Sequence, residues 1–198
     1  ERAWLDAAER EVAELGVAVT AARLETVSRL AALVESERDD ASPFPWAEFA
    51  LAGEVEALVA AHSALEAEDR YRALLASGRA RDAAAGRTLV GPQASDLVVR
   101  HGPKKIEARA CSTGEQKALL TGLVLAHPRL VAAVTGMTPL VLLDEIAAHF
   151  DPVRRRALYE ELARLGGQAW LTGADPAAFA DLAGHAQVLR VTPGRIEG

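Results

Sequence analysis

The sequence contains few cysteine, methionine, lysine and aromatic residues. Its 198 residues include one cysteine, Cys111, which excludes an internal disulfide framework and a zinc site built on cysteines. Aromatic residues make up 5% of the chain, and three of its 22 basic residues are lysines. Because the single methionine, Met137, is internal, we expect the chain to be a fragment of a longer protein.

Long apolar runs and a signal peptide are also missing. No uninterrupted apolar run reaches the roughly 18 residues that a spanning helix needs, and the first residues do not open a signal peptide. The sequence therefore predicts a cytoplasmic protein with no membrane partner.

A phosphate-binding loop of the form G-x-x-x-x-G-K-[ST] does not occur. Lys117 is the only lysine near a suitable glycine, but it lies at the start of the helix predicted from Glu115 and not in a loop of this form. We therefore predict that these 198 residues alone neither bind ATP tightly nor hydrolyse it.

What the sequence does contain divides into two parts of different charge. Residues 1–85 carry 17 acidic and 9 basic residues, whereas residues 86–198 carry 11 acidic and 13 basic residues. Only the second part has a charge that is mildly suited to binding the phosphate backbone of a nucleic acid. We predict two domains, with the boundary after residue 85.

Residues 1–37 show one apolar stripe at spacings of three and four, which predicts a long helix that needs a partner helix. The predicted partner runs from Glu54 to about Ala80, so that the two form a hairpin arm. Between them, Trp46–Leu51 alternates bulky and small residues as a short strand does. The predicted stripe consists of Leu5, Ala8, Val12, Leu15, Val19, Ala22, Val27, Leu30 and Val34.

From residue 87 onward, short apolar strands alternate with helices, which predicts an α/β lobe with a parallel sheet covered on both faces. The predicted strands are Thr88–Val90, Leu97–Arg100, Lys105–Ala110, Leu140–Leu143, Gln168–Leu171, Gln187–Val191 and Arg195–Glu197. The predicted helices run from Glu115 to about Val134, over Pro152–Leu165 and over Pro176–Leu182.

Two carboxylates, Asp144 and Glu145, directly follow the apolar strand Leu140–Leu143. Open α/β sheets place ligands at this carboxyl edge. In a nucleotide-hydrolysing site the first carboxylate holds Mg²⁺ and the second orients the attacking water. The structural alternative is that one of them caps the next element.

A second motif, Ser112-Thr113-Gly114-Glu115, opens the following apolar helix. A hydroxyl, free backbone N–H groups and the positive end of the helix dipole suit a phosphate. Ser112 and Glu115 also have the spacing of a capping box, and the two interpretations are compatible. Asp151-Pro152 opens a later helix and is explained by N-capping; its functional interpretation is a subunit boundary beside a nucleotide.

These three elements, in this order, resemble the signature motif, the Walker B strand and the D-loop of ATP-binding-cassette (ABC) ATPases. More narrowly, the chain resembles the C-terminal portion of the RecF family of DNA replication and repair proteins, in the SMC-like branch. The narrower resemblance rests on Arg87–Pro92, Ser112–Leu120, Leu142–Glu145, Asp151 with the arginines after it, and the helical hairpin ahead of them. It implies the C-terminal lobe of an ABC-type ATPase plus a hairpin arm.

The resemblance also implies roles for single residues. Asp144 would serve Mg²⁺ and Glu145 would be the hydrolytic carboxylate. Ser112, Thr113, Gly114 and Glu115 would meet ATP bound to the other subunit of an ATP-dependent homodimer. Asp151 would lie across that interface, and Thr172 falls where the family has its switch residue. Glu115 departs from the usual signature, which has Gln at this position.

The partners implied by the resemblance are DNA at junctions between single and double strands, RecO and RecR, with a functional link to RecA loading and the SOS response. Two alternatives remain open from the sequence. The chain could be the C-terminal half of another SMC-like or ABC-type ATPase, although its short arm favours RecF. It could also be a non-catalytic helical interaction module whose carboxylates and Ser-Gly turn are only caps.

Overall fold

The structure is a computed structural model, and it describes residues 2–145 and 150–198. The chain forms two compact units. The first unit consists of the residues up to Arg38 together with Trp46–Gln116, and the second consists of Asp39–Pro45 and Lys117–Gly198. Residues 86–116 thus pack with the helices that precede them, so the units do not divide at residue 85, where we predicted a domain boundary.

Three helices make up most of the first unit: α1 (Arg2–Ser36), α2 (Glu54–Ala61) and α3 (Ala64–Ala85). The single partner helix predicted from Glu54 to Ala80 is therefore two helices. The break falls at His62, whose backbone is extended, and at Ser63, whose Oγ accepts the Glu66 N–H at 3.4 Å and caps α3. A serine in the N-cap position competes with helix continuation because its hydroxyl satisfies a free backbone donor.

Helices α1 and α3 run antiparallel, as predicted for a hairpin arm. Arg79 on α3 pairs with Asp6 and, at 2.5 Å, with Glu9 near the start of α1, whereas Tyr71 on α3 lies against Gly16 farther along. A Cβ at residue 16 would overlap the Tyr71 ring. The absence of a side chain there lets the two helices approach closely.

The buried face of α1 differs from the predicted stripe. It consists of Ala13, Gly16, Val17 and Thr20. Val12, Leu15 and Val19, which belong to the predicted stripe, are 45%, 58% and 49% exposed. The prediction followed the spacing of apolar residues along α1, but close packing against Tyr71 selects a small residue, Gly16, at the contact.

An antiparallel sheet completes the first unit, with strands β1 (Ala47–Ala52), β2 (Asp96–His101) and β3 (Ile106–Glu107) in that order. Its register pairs Phe49 with Val99 and His101 with Ile106. The β2–β3 hairpin turns at residues 102–105, which include Gly102 and Pro103. The strand predicted at Thr88–Val90 is absent: the Val90 carbonyl instead accepts the Tyr71 hydroxyl at 3.1 Å.

The second unit contains most of α4 (Thr113–Thr135), then β4 (Val141–Leu143), α5 (Pro152–Leu165) and β5 (Ala169–Leu171). Strands β4 and β5 are parallel, with Val141 opposite Ala169 and Leu143 opposite Leu171. Residues Pro176–Leu182 form a 3₁₀ helix where an ordinary helix was predicted. The chain ends in an antiparallel pair, β6 (Arg190–Thr192) and β7 (Arg195–Glu197).

One face of the β4–β5 sheet is packed and the other is open in the part of the chain that the structure describes. Val141 and Leu143 are buried, whereas Leu142 is 74% and Trp170 51% exposed. The prediction that helices cover both faces was therefore wrong for these residues. The buried core of the unit comprises Phe44, Ala118, Leu125, Val141, Leu143, Phe150, Leu158, Tyr159, Leu162 and Ala178.

Helix α4 is long and apolar enough to cross a membrane by length and composition alone, with a mean hydropathy of 1.5 in its most apolar window. Our prediction that no helix could span a membrane counted uninterrupted apolar runs. Isolated polar residues such as Lys117 interrupt the run in this helix, so the prediction did not find it. Ala118 and Leu125 of α4 are buried in the core of the second unit. Core helices of globular domains often have such a composition.

Candidate functional site

The carboxylate pair lies at the end of β4, where strand pairing holds a threonine beside it. The Thr172 N–H donates to the Leu143 carbonyl at 3.0 Å, which extends the parallel ladder one residue past β5. The Thr172 hydroxyl donates to the Asp144 carboxylate and accepts the Glu145 N–H at 3.2 Å. The structure thus brings the predicted residues Asp144, Glu145 and Thr172 together.

Glu145 has a left-handed backbone, with φ at 53°. Non-glycine residues rarely adopt this conformation, and they do so mostly where surrounding contacts enforce it. The bond from the Glu145 N–H to Thr172 is such a contact. The chain therefore turns sharply after Asp144, and both Asp144 and Glu145 are exposed.

The donors at this strand end suit a hard cation. A carboxylate and a hydroxyl oxygen are ligands that Mg²⁺ accepts, and Mg²⁺ usually takes one or two carboxylates and completes its shell with water and phosphate. No cluster of three or more potential metal-ligating His, Cys, Asp or Glu residues occurs among the described residues. Asp144 therefore fits the role of a single protein carboxylate in a shared Mg²⁺ site.

The start of α4 is a complete capping box. Glu115 Oε2 accepts the Ser112 N–H at 2.9 Å and the Ser112 hydroxyl at 3.0 Å. In return, the Glu115 N–H donates to Ser112 Oγ at 3.4 Å. Thr113 and Gly114 form the first helical positions between these two residues, so all four predicted residues lie together. The capping alternative drawn from the sequence is confirmed.

Lys104 also belongs to this cluster, although no sequence pattern predicted it there. Its ammonium group pairs with the Glu115 carboxylate. This contact, followed by the Ser112 N–H and hydroxyl, lowers the pKa of Glu115 from 4.5 to about 2. The same contact raises the pKa of Lys104. Because Lys104 and Glu115 are eleven positions apart, with β3 between them, no local spacing rule could have paired them.

The β2–β3 turn that carries Lys104 is built on Trp46. Gly102 packs so closely on the indole ring that a Cβ would overlap it, and the Gly102 N–H donates to the Trp46 carbonyl at 3.0 Å. Trp46 is buried, with the Lys105 ammonium 4.6 Å from its ring centroid. The Lys104 N–H donates to Nδ1 of the buried His101 at 3.3 Å.

Asp151 caps α5. Its Oδ1 accepts the N–H groups of Val153 and Arg154, each at 3.0 Å. These bonds, that of Arg154 first, lower the pKa of Asp151. The N-cap prediction for Asp151-Pro152 is therefore confirmed, while its place at a subunit boundary stays a prediction. Residues 146–149 of the predicted D-loop segment, including Ala148 and His149, lie outside the described residues.

Comparison with known proteins shows what the chain resembles. Over 196 residues it is 56% identical to the DNA replication and repair protein RecF of Rhizobium meliloti (strain 1021), covering 99% of this chain and 52% of that protein. It is 53% identical over 193 residues to RecF of Mesorhizobium japonicum, covering 98% of this chain and 51% of that protein. The chain is RecF-like over nearly its whole length. The resemblance inferred from the motifs is thus confirmed.

Solved structures agree with the sequence comparison. The recombination mediator protein RecF with ATP, of the RecFOR pathway, superposes with a TM-score of 0.71 at 18% identity, covering 97% of this chain and 49% of that one. Its ATPrS-containing counterpart also gives 0.71, covering 89% and 46%. The RecF fold of the chain, an ABC-type ATPase lobe with a helical arm, is therefore confirmed.

The chain spans about half the length of the curated relatives it matches, which fits the predicted C-terminal portion. No known protein-family profile matches it.

Proposed function

We propose that this chain is the ATP-responsive C-terminal portion of a RecF-like DNA replication and repair ATPase. The observation that carries the proposal is the bonding of Thr172 to both Asp144 and Glu145 at the end of β4. A capping role for either carboxylate needs no such link. A nucleotide-hydrolysing site does use a carboxylate for Mg²⁺ and a second group that orients the attacking water, held in a fixed relation at a sheet edge.

Each residue then has a distinct task. Asp144 holds Mg²⁺, which when bound neutralises charge on the phosphate oxygens. Glu145 orients the attacking water and accepts its proton. The Thr172 hydroxyl keeps the side chain of Asp144 and the backbone of Glu145 in one arrangement. A phosphate-binding loop from outside these residues would supply the main ATP-binding contacts.

The start of α4 serves the opposite side of the nucleotide in this proposal. Ser112, Thr113, Gly114 and Glu115 meet the terminal phosphate of ATP held by a second copy, where the helix dipole favours negative charge. Asp151 lies at the same boundary between the two subunits. ATP binding thereby stabilises a homodimer, because a ligand shared by two subunits favours the state that binds it.

The proposed setting of this cycle is the cytoplasm, on DNA at junctions between single and double strands. There the dimer would act with RecO and RecR in loading RecA at gaps. The support for these partners is the similarity to RecF proteins and the description of the solved RecF structures as members of the RecFOR pathway.

The test is the Glu145→Gln variant of the full-length protein. We expect ATP hydrolysis to fall by about 10²- to 10⁴-fold, as when a general base is removed, while the ATP-dependent dimer accumulates in analytical ultracentrifugation. Glu160→Gln, at an exposed position on α5, is the matched control and should hydrolyse normally. An unchanged rate in Glu145→Gln would remove Glu145 from this role, and absence of ATP-dependent dimers would favour the non-catalytic module.

A further inference from the structure

A short segment between α1 and β1 contributes a buried aromatic side chain to the second unit. Residues 39–45 belong to that unit, although the residues on either side of them in the chain belong to the first. We call residues 39–45 the strap. Its Phe44 is 7% exposed and is part of the core of the second unit, whose next member along the chain is Ala118.

The sequence of the strap restricts the backbone around Phe44. Pro43 and Pro45 flank this residue, and a residue that precedes a proline is confined mainly to extended conformations. The Phe44 N–H donates to Ser42 Oγ at 3.2 Å, which adds a local turn contact. Because the strap has few alternative conformations, little conformational entropy is lost when Phe44 is buried.

The strap contacts the start of α5 through a ring and through a backbone carbonyl. The ring of Phe44 meets that of Phe150 edge to face, with 5.5 Å between the centroids and 69° between the planes. The Arg154 Nε–H donates to the Pro43 carbonyl at 3.4 Å. Nη1 of the same Arg154 lies 3.8 Å from Asp151 Oδ2. The strap therefore holds residues on both sides of Asp151.

Asp151 differs from its neighbour Phe150 in exposure. Its side chain is 52% exposed, whereas Phe150 is 7% exposed. Oδ1 of Asp151 caps α5, and Oδ2 faces Arg154. An exposed group is held in a defined position when the residues beside it are fixed by packing. The position of the Asp151 carboxylate therefore depends on the contact between Phe150 and Phe44.

We propose that Phe44 and Arg154 are positioning residues that hold Asp151 in place for the contact between two ATP-bound subunits. This inference rests on the proposed function, in which Asp151 lies at that boundary. A carboxylate that is already in position lowers the ordering cost of association. Phe44 and Arg154 act through Asp151 and not by binding the nucleotide.

The experiment is a double-mutant cycle in the full-length protein, with ATP-dependent dimerisation measured by analytical ultracentrifugation. Phe44→Leu keeps an apolar side chain in the core but loses the aromatic contact with Phe150. Asp151→Ser keeps an N-cap but loses the carboxylate. We expect each change to weaken the ATP-bound dimer about five- to tenfold. The double variant should be no weaker than Asp151→Ser alone, because Phe44 acts through Asp151.

A measurement on the monomer separates positioning from general instability. Phe44→Leu should lower the melting temperature by about 2–5 °C, but the ATP affinity of the monomer at low protein concentration should not change. Leu162→Met is the matched control. Leu162 is also 7% exposed in the same core, eleven positions after Asp151 on α5, and its substitution should leave the dimer unchanged.

Arg154→Gln tests the second contact and leaves the core intact. It removes the bond to the Pro43 carbonyl and the ion pair with Asp151, so we expect the dimer to weaken about two- to fivefold. Arg156→Gln makes the same charge change at an exposed position of α5 and should dimerise like the wild type. If Phe44→Leu does not fold, this pair of variants decides the inference.

The inference is overturned if Phe44→Leu dimerises like the wild type, or if the two losses multiply fully in the double variant. An equal loss in Leu162→Met, or a matching loss of ATP affinity in the Phe44→Leu monomer, would also overturn it. If the wild-type protein does not dimerise with ATP, the proposed function itself fails. If the wild type dimerises and Asp151→Ser does so equally well, the place of Asp151 at the boundary fails, and this inference with it, while the ATPase assignment stands.

Discussion

The start of α4 and the end of β4 both carry acidic residues, but their surroundings differ. At α4, Glu115 bonds to Ser112 and Lys104, and every bond is explained by local capping and an ion pair. At β4, Asp144 bonds to the Thr172 hydroxyl, and the Glu145 side chain has no bonding partner in the described part of the chain. A helix start can be complete without a ligand, whereas the exposed carboxylate pair at the strand end makes no capping contact among the residues that the structure describes.

This difference sets what each region can tell about function. The α4 contacts are compatible with a phosphate site but would exist without one, because a capping box alone stabilises a helix. The β4 contacts include a rare backbone conformation at Glu145, which costs free energy and gains nothing for the strand itself. The strand end is therefore the stronger functional evidence, and the helix start needs tests that separate stability from nucleotide response.

The largest effect is expected from Gly114→Ala, which separates helix stability from nucleotide response at α4. A Cβ added at Gly114 would meet open space, and Gly114 has no positive φ, so Gly114→Ala should fold normally and gain up to about 1 kcal/mol of helix stability. The added methyl would lie where a phosphate approaches the backbone, so the ATP-dependent dimer of the full-length protein should weaken at least about tenfold. Unfolding curves and ultracentrifugation of one preparation measure both. A variant that dimerises normally would leave capping as the only role of this segment.

A smaller effect is expected from Thr172→Val, which removes the hydroxyl between Asp144 and Glu145. Loss of their alignment should lower ATP hydrolysis by the full-length protein by about 10- to 100-fold. Thr135→Val, which removes an exposed hydroxyl that bonds the Val131 carbonyl, should leave hydrolysis unchanged. Equal rates for Thr172→Val and wild type would show that the strand end tolerates misalignment and would weaken the contrast with α4.

The smallest effect concerns the pH dependence of stability at α4. The pKa of Glu115 is about 2 in the folded protein and 4.5 without these contacts. A lowered pKa means that the ionised carboxylate stabilises the fold above about pH 4.5 and that this stabilisation is lost as the pH falls towards 2. The difference in melting temperature between wild type and Glu115→Gln should therefore shrink over that range. A difference independent of pH would contradict the ion pair.

Helix boundaries were the most predictable part of the fold where sequence signals at both ends agreed. Helix α5 spans Pro152–Leu165, as predicted. Asp151 and Pro152 mark its start, and Gly166, with φ at 70°, ends it. Each of these residues acts within one helical turn, so that sequence spacing alone carries the information.

The buried face of α1 was not predictable from the same kind of pattern. Several faces of α1 carry apolar or alanine residues, and the choice between them depends on Tyr71 of α3 packing against Gly16. That contact joins residues 55 positions apart. Size complementarity between distant helices, and not the hydrophobicity of one helix, decided which side is buried.

The site residues divide in the same way into those that could be predicted and one that could not. Asp144 and Glu145 follow β4 and Thr172 follows β5, so parallel pairing brings them together once the strands are recognised. Lys104 meets Glu115 only because Gly102 packs on Trp46 and fixes the turn. A tertiary contact of that kind leaves no periodic signal.

The Thr172 hydroxyl joins the side chain of Asp144 to the main chain of the next residue, Glu145. Because Thr172 follows β5 and is held to β4 by its own N–H, a shift of β5 along its axis would pull on Asp144 and Glu145 at once. Asp144 and Glu145 would then change position in concert, so that the two roles proposed for them, cation binding and water orientation, would be lost or gained as one event.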